Sequence, residues 1–182
     1  TGAIDFGNPI TLSTAATTTF NAGGTFTLGS TLNGGSNALT ITNNAVINGA
    51  ITSVSTLQVG GTTSLGANVT TTGNQTYTGA VTLSGGDHSL STENSQITFG
   101  NTVNSEANQN RALSLSVGAS EVQFDGVVGG SQGLGAVAIT GALDLNAAIA
   151  SATSLSVSTT SDLAANVTTS GTQSYIGAVT LG

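Results

Sequence analysis

The sequence contains no cysteine, methionine, tryptophan or lysine, and only one proline and one histidine. Each absence removes a kind of chemistry. Without cysteine there is no disulfide framework, thiol nucleophile or thiolate zinc site, and a single histidine cannot build an imidazole metal cluster. Without lysine there is no Schiff base, no phosphate clamp and no basic footprint for nucleic acid. Arg111 is the one strong cation. Charged residues are 5% of the 182, against about 25% in an ordinary domain, and the formal charge is −7. Aromatic residues are 4%, so any core is thin and aliphatic. No apolar run approaches the ~18 residues that span a bilayer. No basic segment followed by an apolar one opens the chain. It starts at Thr1 without an initiator methionine and stops at Leu181-Gly182 in mid-pattern, which predicts a window cut from something longer.

What remains is Thr, Ser, Asn, 26 Gly and a set of aliphatic residues. Hydrophobic residues are 37% and the mean hydropathy is +0.24, too apolar for a disordered chain. The apolar residues are mostly Val, Ile and Leu, of which the β-branched pair favour strands. They alternate with polar ones in short runs: Leu57/Val59, Val81/Leu83, Ile97/Phe99, Leu113/Leu115/Val117, Val137/Ile139 and Leu155/Val157. Alternation over a few residues marks a strand with one face buried. Clusters such as Gly60-Gly61, Gly85-Gly86 and Gly129-Gly130 separate the runs. Nothing offers helical spacing over three turns, so the chain reads as all-β.

An internal duplication organises these strands. Ala67-Asn68-Val69-Thr70-Thr71, then Gly73, Gln75, Tyr77 and Gly79-Ala80-Val81-Thr82-Leu83, recurs 98 residues later. The second copy runs from Ala165-Asn166-Val167-Thr168-Thr169 to Gly177-Ala178-Val179-Thr180-Leu181. Residues 49–84 and 147–182 are identical at 20 of 36 positions. Upstream, Ile4-Asp5-Phe6-Gly7-Asn8 matches Ile97-Thr98-Phe99-Gly100-Asn101 at an offset of 93. The second copy has therefore gained five residues before Phe124, and the polar run around residues 104–111 is the expected place, as a surface loop. The chain thus divides into a first repeat, residues 1–96, and a second, residues 97–182, continuous with it.

A sandwich or barrel would need one whole domain per repeat, with a linker and a core pin that the sequence lacks. Coils of roughly 20 residues, three short strands each, account for the pattern. Each repeat is then about five coils, and stacking at ~4.8 Å gives a rod of roughly 40–45 Å. The prediction is a right-handed parallel β-helix, or β-solenoid, with small aliphatic side chains filling the bore and Thr, Ser and Asn laddering outside.

Candidate sites are sparse. Asp87-His88 follows Gly85-Gly86 and reads as a turn with an exposed histidine. Asp87, Glu93, Glu106, Glu121, Asp125, Asp144 and Asp162 are scattered singly, although Asp125 and Asp144 could approach across coils as the carboxylate pair of a carbohydrate-active β-helix enzyme. Gly129-Gly130-Ser131-Gln132-Gly133-Leu134-Gly135 lacks the lysine and helix of a phosphate loop and reads as a turn. Arg111 is expected to pair with Glu106. Tyr77 and Tyr175 occupy equivalent places and are expected to fill a wide corner of the coil, outward stacking on sugars being the alternative. Asn68 and Asn166 begin Asn-Val-Thr sequons. Thr25/Thr27, Thr40/Thr42 and Thr76/Thr78 suggest an ice-binding face, which Leu, Ser and Ala interrupt. No catalytic, cofactor-binding or metal-ligating set is assigned.

The repeated Asn-Val-Thr-Thr-x-Gly-x-Gln-x-Tyr-x-Gly-Ala-Val-Thr-Leu segment resembles the repeat tracts of large bacterial exoproteins of the filamentous-haemagglutinin type. The Ile97–Asn104 stretch is similar to other segments of those tracts. The resemblance covers most of the chain. It implies a very long secreted β-helical protein, exported across an outer membrane and displayed on the cell surface for adhesion, biofilm cohesion or contact with other cells. The secretion domain and effector regions of that family have no counterpart here. The resulting expectation is a non-enzymatic adhesin stalk or surface filament with no cofactor, not inserted in the membrane and not bound to nucleic acid. Its partners would be further repeats of the same chain, or identical subunits end to end, with cell-surface glycans or receptors as possible ligands. A self-polymerising filament subunit is the second expectation.

Overall fold

The computed structural model describes residues 2–13 and 16–182, and among these it contains 21 strands and no helix. All pairings are parallel and join residues about one coil apart, so the chain winds as the expected β-solenoid in about 9 turns. Three faces repeat in each coil. In the tightest coils each face takes six residues: a three-residue strand pointing in, out and in, then a three-residue corner. Thr63–Leu65, Val69–Thr71, Gln75–Tyr77 and Val81–Leu83 show this spacing in succession. The period of 2 seen in the sequence is the in-out alternation of these strands.

Three inward columns form the core. On the first face, Ile4, Phe26, Ala45, Thr63, Val81, Val103, Val128, Ile149 and Val167 stack in register. The second runs Ile10, Leu32, Ile51, Val69, Leu90, Leu115, Ile139, Val157 and Tyr175. The third runs Phe20, Ile41, Val59, Tyr77, Phe99, Phe124, Leu145, Leu163 and Leu181. In the middle coils these side chains are fully buried in one continuous cluster. Each inward residue meets a similar one above and below, so a narrow bore fills without large aromatics. On the third face aromatics stack: Tyr77 on Phe99 at 5.3 Å between ring centroids, Phe99 on Phe124 at 5.1 Å, both nearly parallel.

The corners have their own bonding device. Many corner amides donate to backbone carbonyls of the preceding coil, and in six further places at or beside a corner an Asn or Asp of the preceding coil accepts from a backbone N–H. Asn44 Oδ1 accepts from Thr62 N (2.9 Å), Asn68 from Ser89 N (2.8 Å), Asn74 from Gln96 N (3.2 Å), Asp87 from Ala112 N (2.8 Å), Asn94 from Ala119 N (3.1 Å) and Asn104 from Ser131 N (2.9 Å). The asparagine content of the sequence is therefore partly structural: it satisfies backbone groups that would otherwise lack a partner within the fold. Corners also press closely on one another. A Cβ on Gly129, whose φ is +71°, would lie 2.0 Å from the Ser151 carbonyl oxygen, so this turn requires glycine on two counts.

The structure makes one expectation about the repeat more precise and corrects another. The duplicated segments do not lie on the same face. Ile51 is on the second face of the third coil, whereas its equivalent Ile149 is on the first face of the eighth. The 98-residue repeat is thus fourteen strand positions, or four and two-thirds coils, in keeping with the expected figure of about five, and equivalent residues turn by one face of the prism. The five gained residues are also not in one loop. Two lie in the arc between Ser105 and Leu113, one in the bend Gly118–Glu121, and two in the turn Gly129–Gly133. Corners of stacked coils touch, so widening one corner demands that its neighbours widen as well.

Candidate functional site

The widened corner between the first and second faces brings four titratable side chains near one another: Asp87, His88, Glu106 and Arg111. Strand Val81–Leu83 leaves the first face and the chain passes through Gly85-Gly86-Asp87 before entering the second at His88. One coil on, strand Val103–Ser105 is followed by the arc Glu106–Ala112, and above that lies Gly129–Gly133. These three tiers are joined by side chains. Glu106 Oε1 accepts from Gly85 N at 3.1 Å and from Arg111 Nε at 2.8 Å, with Arg111 Nη2 also on the same oxygen. Ser105 Oγ accepts from Arg111 N at 3.0 Å. Asn104 Oδ1 accepts from Ser131 N at 2.9 Å, and Gln132 Nε2 donates to the Gln109 carbonyl at 2.8 Å. Asn108, at φ +62°, donates its N–H to Gln132 Oε1 at 3.3 Å.

The expected Arg111–Glu106 pair is present, and both side chains are partly exposed. Hydrogen bonding from Arg111 holds the Glu106 carboxyl below its usual range, with a further contribution from Gly85 N–H. Among the described residues this is the single ion pair, and its geometry braces the arc against the coil below.

His88 departs from expectation. It is not exposed on a turn but 6% exposed at the start of strand His88–Ser91, inward like Leu90 and in register with Leu113. The two glycines before Asp87 complete the turn early, and the in-out alternation then aims His88 at the bore. Its Nε2 lies 2.7 Å from the Ser84 carbonyl. A carbonyl only accepts, so Nε2 carries the proton of this bond. Asp87 turns the other way to clip Ala112 N. The Asp87-His88 dipeptide therefore does not form an acid-base pair.

Asp125 and Asp144 do approach one another, bridged by Asn146. Asn146 Nδ2 donates to Asp125 Oδ1 at 2.9 Å and reaches Asp144 Oδ2 at 3.4 Å, while Gln123 Nε2 donates to Asp125 Oδ1 at 2.8 Å. Asp144 and Asp162 are in register on adjacent coils. The amides of Asn146 and Gln123 occupy Asp125, and Arg111 sits at a different corner. Among the described residues no cluster of three His, Asp or Glu side chains has metal-binding geometry.

Tyr77 is fully buried inside the coil as expected, although on strand Gln75–Tyr77 of the third face and not at a wide corner. Its hydroxyl donates to Gln75 Oε1 at 3.2 Å, and Gln75 Nε2 donates to Thr71 Oγ1 at 3.2 Å and to the Ser91 carbonyl at 2.9 Å. Burial pushes the Tyr77 phenol well above its ordinary value. Sequence reasoning did not foresee this polar network inside the bore. The recurrent Thr-x-x-x-Gln-x-Tyr spacing was its available signal, since residues two and four apart in a tight coil share the inside. Asn68 is exposed but already clips Ser89, and Gly129–Gly133 forms a turn. Thr19, Thr40, Thr76 and Thr98 share an outward column on the third face, interrupted by Gln58 and continued by Gln123, Asp144 and Asp162. The threonine ladder is one residue wide and incomplete.

No protein family, curated protein or solved structure matches the chain in sequence or in fold. The class defined by the geometry is a three-faced parallel β-solenoid repeat protein.

Proposed function

We propose that this chain is a non-enzymatic structural segment of a long extracellular β-solenoid, serving as an adhesin stalk or surface filament. The supporting observation is the three unbroken inward columns, each nine residues long, reinforced at the corners by Asn and Asp clips. Such a column converts chain length into reach at about 4.8 Å per coil, and its in-register ladder resists bending. The polar residues of the widened corner bond to one another, which supports a bracing role for them. Resemblance of the repeated segment to filamentous-haemagglutinin-type tracts supports display on a bacterial surface.

The test is electron microscopy of native, unrefolded material with a label raised against this chain. Label along thin rods standing off intact cells is the expected result. Label confined to the cell interior overturns the reading. Continuous filaments of constant width, instead of separate rods, would select the alternative of a subunit that polymerises end to end.

A further inference from the structure

With no lysine and a single arginine, the chain offers one peptide bond, Arg111–Ala112, to a protease whose acidic pocket selects a basic residue. That bond lies at the end of the arc Glu106–Ala112, in the widened corner between the first and second faces. We propose that it is a latent processing site, sealed by the coils above and below it, and that its cleavage nicks the solenoid without parting it.

Every group that such a protease must grasp is already engaged. Trypsin-like enzymes take an extended segment, with the basic side chain in the acidic pocket and the scissile carbonyl in an oxyanion hole. Here Glu106 Oε1 holds the guanidinium, through Nε at 2.8 Å and also through Nη2. The Arg111 carbonyl accepts from Gly135 N of the coil above at 2.9 Å. The Ala112 amide donates to Asp87 Oδ1 of the coil below at 2.8 Å, and the Ala112 carbonyl accepts from His88 N at 3.1 Å. Arg111 N donates to Ser105 Oγ at 3.0 Å. Just ahead, Asn108 at φ +62° interrupts any extended run. The arc is exposed over Ala107–Asn110, yet the bond beyond it is closed from both sides.

Opening this seal is a local event. Ala107 and Ala112 are the only apolar residues between Ser105 and Leu113, so lifting the arc breaks hydrogen bonds and exposes little hydrophobic surface. Hydrolysis then adds one water across the bond. The Arg111 carbonyl carbon takes the hydroxyl, and the Ala112 nitrogen takes the proton and leaves as an amine. Fragments 1–111 and 112–182 stay joined because all three faces pair across the cut. His88–Ser91 lies beside Leu113–Ser116, Ile97–Phe99 beside Val122–Phe124, and Val103 beside Val128.

The test is limited digestion of the 182-residue chain with trypsin at neutral pH, beside the variants Asp87→Ala and Glu106→Gln. The original chain is expected to resist. Asp87→Ala frees the scissile amide and is expected to be cut about tenfold faster. Glu106→Gln loosens the guanidinium and is expected to be cut about threefold faster. Chymotrypsin reports global unfolding, because Phe26, Tyr77, Phe99 and Phe124 are fully buried, and it is expected to cut all three chains at one slow rate. Mass spectrometry is expected to find fragments 1–111 and 112–182, which co-elute until urea is added. Rapid cleavage of the original chain, or variants no more sensitive than it, overturns the seal. Variants that both enzymes cut faster to the same degree overturn a local opening. Fragments that part without denaturant show that the nick does break the solenoid, and overturn that half of the proposal.

Discussion

Residues 67–83 and 165–181 are near-copies that fold alike and live differently. Within a coil they make the same bonds. Gln75 and Gln173 donate to the carbonyls of Val69 and Val167 at 3.4 and 3.2 Å, and Tyr77 and Tyr175 donate to those glutamines at 3.2 and 3.1 Å. Thr71 and Thr169 both close onto the glycine two residues ahead. Yet Tyr77 is on the third face, fully buried and stacked on Phe99, whereas Tyr175 is on the second face, half-buried in the last coil. Local bonding follows local sequence. The face on which a segment lies, and what covers it, follow from counting coils.

The largest effect expected from that contrast is in the two tyrosines. Tyr77→Ala removes a ring from a filled stack and leaves Gln75 Oε1 without its donor, which is expected to cost about 3–5 kcal/mol. Tyr175→Ala, with one stacking neighbour fewer, is expected to cost less than half as much. Urea unfolding of both variants measures the difference, and equal losses would show that coil position does not matter. Assembly end to end would itself narrow the gap, so the comparison is made on dilute monomer.

A second contrast sharpens the point in the opposite direction. Thr63 and its duplicate Ser161 are buried on different faces, and the hydroxyl of each lacks a hydrogen-bond partner. Thr63→Val and Ser161→Ala remove an unmet polar group at little change of shape, and each is expected to stabilise the rod by about 1 kcal/mol. The readout is the midpoint of urea unfolding. A loss of stability in either would mean that the hydroxyl is bonded in solution.

The smallest effect concerns the one brace that the first copy lacks. Because the folded-state pKa of Glu106 is lowered by Arg111, its contribution is complete above the ordinary glutamate value and fades as pH falls through the lowered one. Glu106→Gln is therefore expected to leave stability at low pH unchanged and to lower it slightly near neutrality. Unfolding midpoints from pH 2 to 7 test this, and a larger loss in acid than at neutral pH would reverse the assignment.

Much of the fold was legible in the sequence because strands in a solenoid report their own orientation. Alternation named the inward residues, the glycine clusters named corners, and the Tyr77 and Arg111–Glu106 readings followed. His88 was misjudged because polarity and two glycines point to an exposed turn. Its burial depends on where that turn ends, which the widened corner of the next coil decides. The five gained residues were assigned to one loop because an alignment records only their total. Stacking distributes them, since a wide corner cannot rest on a narrow one.

By itself, the sequence determined the all-β character, the duplication, the inward columns and the bonds made within a coil, because all of these depend on residues a few positions apart. Only the tertiary structure decided that 98 residues make four and two-thirds coils, which faces the copies occupy, and which asparagines clip which amides. Those depend on the summed lengths of every corner along the chain, a quantity that no single segment contains.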